Sequence, residues 1–318
     1  MEPLTIDRTH ILVLNYNGRD LLGECLPSIL EAARSSPVPC RVTVVDNSSS
    51  DGSRELVENR FPLVGFLSQP NHGLASFNRV LERCDESVVL LLNNDVKLAP
   101  GAVGPLLRAF ETKPDAFFSA PCCWSFDGIT YEGMRTRVRS RFGLVQGMSR
   151  VPGFEHVIAH EDMTAAAGPV LAVNRRRFLE LGGYDPIYFP GRIEDLDLGF
   201  RSWMAGGRGY YVPESVAFHK GWGTFEPQLG RDRCAVLASR NTVIFMWKNT
   251  SGARLIRHFL WLPIRLGAAL LLGRPSFVRG FLEALGRARE VLAARRTLAV
   301  GQGGWVERQE EFFRCFQW

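Results

Sequence analysis

Two apolar runs of this chain each stop on an aspartate: Arg41-Val-Thr-Val-Val-Asp46 and Val88-Val-Leu-Leu-Leu-Asn-Asn-Asp95. In an open α/β sheet the carboxyl ends of the strands border the ligand crevice. Two carboxylates delivered there from two strands make a site for a nucleotide or a metal ion. The pairing points to an enzyme acting on a nucleotide-activated substrate. Other polar groups stand at comparable places, with Asn15-Tyr16-Asn17-Gly18 closing an earlier apolar run and His219 ending a later one. Turn chemistry alone favours Asn, Ser and Gly in such segments. Their recurrence at consecutive strand ends is what argues for a site.

The elements that must position these groups alternate. His10–Asn15 reads as a short strand, and Leu21, Leu22, Leu26, Ile29 and Leu30 recur at helical spacing over residues 20 to 34. A strand over 41–46 leads through Asn47-Ser-Ser-Ser-Asp-Gly-Ser53 into a helix, and a weaker strand starts at Val64. A helix opens near Asn71-His-Gly73, and residues 87–92, apolar on both faces, have the pattern of a central parallel strand. Repeated βα units imply a doubly wound α/β fold. Beyond residue 115 the expected strands are 116–120 and 170–173, separated by a loop or irregular hairpin over 126–160. A helix from Arg175 ends at Gly182-Gly183, and an aromatic turn over 184–191 enters a helix with Glu194 and Asp195 in its first turn. A last strand over 210–218 delivers His219.

Composition narrows the alternatives. The chain has 318 residues, 46% hydrophobic and 22% charged, enough to bury a full core. Seven cysteines, at 25, 40, 84, 122, 123, 234 and 315, form no Cys-x-x-Cys pair, so neither disulfides nor zinc are expected. The first residues lack a basic segment followed by an apolar one, which predicts no secretory signal and a cytoplasmic protein. Residues 254–318 hold eleven Arg, five Glu and neither Lys nor Asp, a net +6 within an overall +5. Scattered basic residues without interleaved aromatics argue against nucleic acid as a partner.

Taken in order, Asn15-Tyr-Asn17, Val44-Val-Asp46-Asn-Ser-Ser-Ser-Asp51-Gly-Ser, Asn71-His-Gly73, Leu92-Asn93-Asn94-Asp95, Gly182-Gly-Tyr-Asp, Glu194-Asp-Leu-Asp-Leu-Gly-Phe-Arg201 and His219 resemble the motif series of family 2 glycosyltransferases. The resemblance spans roughly residues 9 to 250 and is nearest to the bacterial rhamnosyl- and galactofuranosyltransferase branch. It implies the GT-A fold, a Rossmann-like, doubly wound mixed sheet, over residues 1–250, with a helical extension over 251–318. It also implies inverting transfer of a sugar from a nucleoside diphosphate to an acceptor hydroxyl, with a donor such as dTDP-rhamnose or a UDP-sugar and a glycan or lipid-linked acceptor. On this pattern Asp95 and His219 match metal ligands for Mn2+ or Mg2+. Asp195 matches the general base, and Glu194 an orienting or acceptor-binding acid. Asn15, Tyr16, Asn17, Asp46, Asn71, Gly73, Asn93 and Asn94 match the nucleotide-sugar contacts. The chain departs from the fuller pattern at Asn93, which stands in the first Asp position and removes one charge.

Read without the resemblance, Asp95 caps a turn, His219 is a satisfied histidine, and Glu194 and Asp195 interact with their helix dipole. That dipole lowers a carboxylate's pKa, so a base there requires partial desolvation to offset it. Asp197 and Arg201, four apart on one helix, read as a structural ion pair. A dehydrogenase is excluded because the Gly-x-Gly-x-x-Gly position reads Asn15-Tyr-Asn-Gly-Arg-Asp20. A non-catalytic nucleotide-sugar-binding subunit of a membrane assembly complex remains as the alternative. The apolar part of 254–272 is shorter than the ~20 residues that span a bilayer. It suits a helix in the membrane interface, a helix packed on the catalytic domain or a homodimer contact, and residues 277–298 read as a second amphipathic helix.

Overall fold

The computed structural model describes residues 3–221 and 225–318. In chain order the elements are β1 (Thr9–Asn15), α1 (Arg19–Arg34), β2 (Cys40–Asp46), α2 (Ser53–Arg60), β3 (Gly65–Ser68), α3 (Ser76–Leu81), β4 (Val88–Asn93), β5 (Val96–Leu98) and α4 (Val103–Thr112). There follow β6 (Ala116–Ser125), β7 (Tyr131–Gly133), β8 (Arg137–Arg141), β9 (Leu144–Met148), β10 (Asp162–Met163), β11 (Val170–Asn174), α5 (Arg175–Glu180), α6 (Glu194–Met204) and β12 (Arg208–His219). The chain closes with α7 (Phe225–Leu229), α8 (Arg231–Asn249), α9 (Gly252–Leu271), α10 (Pro275–Gly286), α11 (Ala288–Thr297) and α12 (Trp305–Cys315).

The β-branched and leucine runs of β1, β2 and β4 form the parallel centre, with β3 on the outer side of β2. β11 lies antiparallel to β4, β6 antiparallel to β11, and β12 parallel to β6. The result is a mixed sheet in the order β10-β12-β6-β11-β4-β1-β2-β3. Because β6 and β12 run the same way as β4, the carboxyl ends of β1, β2, β4, β6 and β12 share one edge. In-register pairing sets Asn15 beside Asp46 on that edge. β4 is apolar on both faces because both are covered, and Val88 to Leu92 are all buried.

Of the two expectations for 126–160 the structure takes the hairpin, β8–β9, and adds β7 on the edge of β6. Residues 277–298 form two helices rather than one, broken at Arg287. α8 has no counterpart in the sequence reading.

Two cores result. The larger packs α1 to α5 on the sheet. The smaller joins Leu196, Phe200, Trp203 and Met204 of α6 to Val243–Met246 of α8, to Ala284 and Val291, and to Trp305, Phe312, Phe313 and Phe316. It runs across the expected boundary at residue 250. Among the described residues no helix is long and apolar enough to cross a membrane.

Candidate active site

β5 lies antiparallel against the end of β12 with Val96 opposite His219, and the Lys220 amide donates to the Asp95 carbonyl at 3.0 Å. This pairing sets His219 Nε2 3.4 Å from Asp95 Oδ2. On the other side of the ring, His219 Nδ1 lies 3.9 Å from Oε2 of Glu132 on β7. Asp95 is only 4% exposed, and its Oδ1 has no hydrogen-bond partner among the described residues. A buried carboxylate oxygen left unpaired is costly, so the site is built to be completed by something electropositive. Asp95 Oδ2 beside His219 Nε2 is a donor pair that suits a divalent cation of the Mn2+ type, while Glu132, also 3.3 Å from Arg150, stands on the far side of the ring. Asn93, half-buried at the end of β4, donates its backbone N–H to the Pro169 carbonyl at 2.9 Å. Glu132 escaped the sequence reading because nothing in Tyr131-Glu-Gly133 marks a strand that returns to the site.

A different grouping of His10, Cys84 and Glu86 lies at the opposite edge of the sheet. There Arg41 takes both Glu86 oxygens at 2.8 and 3.2 Å, and His10 Nε2 is 2.8 Å from Thr43 Oγ1. A guanidinium already occupies the place a cation would need. Burial, reinforced by the Arg41 charge, pushes His10 down to about 4.

At the ends of β1, β2 and β4 the expected nucleotide-site residues form a buried lattice. Asn15 Nδ2 donates to Asp46 Oδ1 at 2.9 Å and to Ser53 Oγ at 3.0 Å, while its Oδ1 accepts from Asn94 Nδ2 at 2.7 Å. Asp46 also accepts from the Ser49 amide at 2.9 Å and the Ser49 hydroxyl at 2.5 Å. The side chains of Asn15 and Asp46 are therefore largely engaged, with each other, with Asn94 and with Ser49 and Ser53. A β-carbon at Gly18 would meet Asn94 Nδ2 at 2.0 Å, so only glycine lets α1 start over this lattice. Asn17, at φ 46°, joins it, its amide donating to Ser49 Oγ at 2.8 Å and its Oδ1 accepting from the Ser50 amide at 2.9 Å, while Tyr16, 39% exposed, stands outside. Asn17 also lines an opening of about 340 Å³ together with Gly18, Arg19, Asp51 and Gln228. Asn71 Oδ1 accepts from the Gly73 amide at 3.0 Å, and Gly73, at φ 59°, packs where a β-carbon would come 3.0 Å from the Pro190 carbonyl. That contact ties the carboxyl edge near β3 to the loop that carries the acids.

The acids begin α6. Arg192 and Ile193 precede them at φ 84° and 75°, a left-handed pair costing about 1–3 kcal/mol per residue. Asn241 of α8 holds this turn, donating from Nδ2 to the carbonyls of Tyr188, Gly191 and Arg192 at 2.9, 2.7 and 2.8 Å. Glu194 and Asp195 are only partly exposed, and protein atoms crowd them. Burial, opposed by Arg192 among others, pushes Glu194 up to about 7. Burial and the neighbouring Glu194 charge together raise Asp195 well above the usual carboxylate range. Tyr184 OH lies 3.5 Å from Asp195 Oδ1, and Glu194 Oε2 is buried with no hydrogen-bond partner among the described residues.

One turn further, burial would raise Asp197, but Arg201 and Lys248 outweigh it and hold this carboxylate well below its ordinary range. Arg201 Nε donates to Oδ2 at 2.6 Å. Lys248 Nζ, Asn249 Nδ2 and Tyr188 OH donate to Oδ1 at 2.7, 2.8 and 2.8 Å. Lys248 Nζ also pairs with Asp185 at 2.6 Å. This network fastens the acid-bearing helix and the 184–191 loop to α8.

The sheet order and this edge define the GT-A fold, and the solved structures agree in fold. A Pyrobaculum calidifontis mannosyltransferase in complex with GDP-Man and Mn2+ superposes with TM-score 0.51 at 18% identity, over 99% of this chain and 87% of that one. GalNAc-T7 with UDP, GalNAc and Mn2+ gives 0.56 at 18%, over 77% of this chain and about half, 49%, of its own. S. aureus TarS with UDP-GlcNAc gives 0.52 at 15%, over 96% and 89%. In sequence, residues 10–180 match the model of the family described as Glycosyl transferase family 2. An N-acetylglucosaminyl-diphospho-decaprenol L-rhamnosyltransferase of Mycobacterium tuberculosis is 30% identical over 243 residues, 67% of this chain and 76% of that protein. The chain belongs to glycosyl transferase family 2 and is a glycosyltransferase.

Proposed function

We propose that this protein transfers a sugar, with inversion, from a nucleoside-diphosphate donor such as dTDP-rhamnose or a UDP-sugar to a hydroxyl of a cell-surface glycan or lipid-linked precursor. The observation that carries the reading is the buried, unpartnered Asp95 oxygen beside His219 at the carboxyl edge of the sheet; the crowded acid pair that opens α6, with its raised pKa values, supports it. The name of the mycobacterial relative supports rhamnose and a lipid-linked acceptor. The Mn2+ in the complexes of the mannosyltransferase and of GalNAc-T7 supports a metal-assisted reaction.

Asp195 takes the proton of the acceptor hydroxyl while its oxygen bonds to the anomeric carbon. The bond from that carbon to the diphosphate breaks on the opposite face, and the diphosphate leaves with the electron pair. A carboxylate whose pKa is raised by desolvation is the stronger base for this step. Glu194 orients the acceptor and keeps negative charge beside Asp195. Asp95 and His219, with Glu132 steadying the imidazole, would hold Mn2+ or Mg2+. A bound cation there neutralises charge on the departing diphosphate. Tyr16 offers its ring and Asn17 its side-chain Nδ2 to the nucleotide, and the Asn15–Asp46–Asn94 lattice keeps that end rigid. A catalyst at the cytoplasmic membrane face suits such an acceptor.

Nucleotide release from a panel of dTDP- and UDP-sugars, with and without Mn2+ and a polyprenyl-diphosphate-sugar acceptor, tests the proposal. The expected result is acceptor-dependent release of one nucleotide that Asp95→Ala abolishes. Asn93 favours a second reading, a nucleotide-sugar-binding subunit, which donor binding without any release across the panel would support instead.

A further inference from the structure

α9 is amphipathic in the wrong sense for a helix facing water. Its inward side carries His258, Leu262 and Ala269, all buried, together with Arg254 and Arg265, which are only partly exposed. Arg254 reaches Glu310 at 2.6 Å and Ser140 at 2.8 Å, and burial, followed by repulsion from Arg141, lowers Arg265. The outward side is apolar along its whole length. Ile256, Phe259, Leu260, Ile264, Leu270 and Leu271 are 62, 51, 69, 58, 68 and 89% exposed. At 3.6 residues per turn these positions fall on one stripe with Pro263 and Gly267, and Arg257 stands at its border.

The stripe is extended by a second element. The tip of the β8–β9 hairpin presses on α9, where His258 Nδ1 is 2.8 Å from the Gly143 carbonyl. A β-carbon at Gly143, φ 74°, would come 2.9 Å from both His258 Cα and Trp261 Cβ, so the tip fits only as glycine. The tip presents Phe142, 47% exposed, tilted at 57° against Trp261 with ring centroids 4.9 Å apart. Arg141 flanks Phe142. Arg257 and Arg274 border the stripe, and both are exposed.

We infer that this stripe, with Phe142 and Trp261 beside it and an arginine rim around it, inserts into the headgroup region of an anionic lipid bilayer. Contiguous exposed apolar surface of this kind marks an interaction face. The basic rim selects the occupant. A symmetric second copy would set the same arginines against themselves across a two-fold axis. A bilayer with anionic headgroups offers hydrocarbon to the stripe and counter-charge to the rim together. The inference stands on α9 and the hairpin alone and is independent of the transferase reading.

Flotation of the full-length protein with phosphatidylcholine vesicles, with and without phosphatidylglycerol, tests it. Wild type should float with the anionic vesicles, and added salt should weaken this. The double variant L260E/I264E, at positions where water already reaches the side chain, should keep the wild-type melting temperature. Losing two inserted apolar groups should weaken vesicle binding about tenfold or more. Arg141→Gln with Arg257→Gln should reduce the preference for anionic lipid while keeping residual binding. Wild type left behind by both vesicle types, or L260E/I264E floating as well as wild type, overturns the inference. So does a dimer in light scattering that L260E/I264E dissolves, which would assign the stripe to a second copy. Nucleotide release in detergent reports on the transferase reading separately.

Discussion

At Asp195 crowding and the Glu194 charge disfavour the charged carboxylate and raise its pKa, in the direction opposite to the pull of a helix N-terminus. Asp195→Asn keeps the shape of the side chain and removes its proton affinity. Turnover should fall by about 10²-fold or more while donor affinity, measured by calorimetry, stays within error. Near-normal turnover would remove Asp195 from the role. The pair should also govern pH dependence. A base works only when deprotonated, and both pKa values are raised, so kcat/KM should climb with pH through the region near 7 and beyond. Glu194→Gln deletes the charge that helps raise Asp195, so the acidic limb should move to lower pH. A limb that stays in place would show that the two acids do not titrate together. Much of this scale was legible in the sequence, because Asp46, Asp95 and His219 terminate apolar runs and strand ends face the crevice. Glu132 was not, because its approach to His219 depends on β7 folding back along β6. Nor does a motif distinguish groups that face a ligand from those that brace one another, as Asn15, Asp46 and Asn94 do.

At the scale of elements, α8 organises the acid-bearing segment. Its Asn241 pins the strained turn before α6, and its Lys248 lies between Asp185 and Asp197. The helix was illegible because its buried residues include Arg240, Asn241, Lys248 and Asn249 along with Val243 to Met246. With polar groups buried and no apolar stripe, periodicity has nothing to register. Lys248→Met should cost about 3–5 kcal/mol in urea unfolding, since it leaves buried carboxylates short of a cation. The same pair sets acid sensitivity. Asp197 is depressed in the folded state, so its contribution is present above the unfolded pKa of about 4 and is lost as pH falls toward the depressed value. Without Lys248 that depression shrinks, and acid unfolding followed by circular dichroism should begin at a higher pH than in wild type. Onset at an unchanged pH would mean that Arg201 alone sustains Asp197.

For the whole molecule, the tail's amphipathic helices could be read from sequence, but their docking could not, since a stripe of apolar residues does not name its partner. Phe312, fully buried, meets Phe200 edge-on at 5.0 Å, Trp203 at 5.8 Å and Phe316 at 5.0 Å. Trp305 Nε1 donates to the Asn249 carbonyl at 3.1 Å. Phe200 and Trp203 are the inner face of the helix that opens with Glu194 and Asp195, so α12 backs the proposed base from behind. Residues 251–318 should therefore melt together with the catalytic sheet. Phe312→Ala removes an aromatic ring from a close-packed site and should destabilise by about 3–5 kcal/mol. Calorimetry should show one transition moved to lower temperature. If the tail were a separable appendage, the same substitution would split the thermogram into a weakened tail transition and an unshifted catalytic one. Turnover well below the melting temperature completes the test: loosening α12 should lower kcat by freeing the N-terminus of α6, whereas an unchanged kcat would confine α12 to a stabilising role.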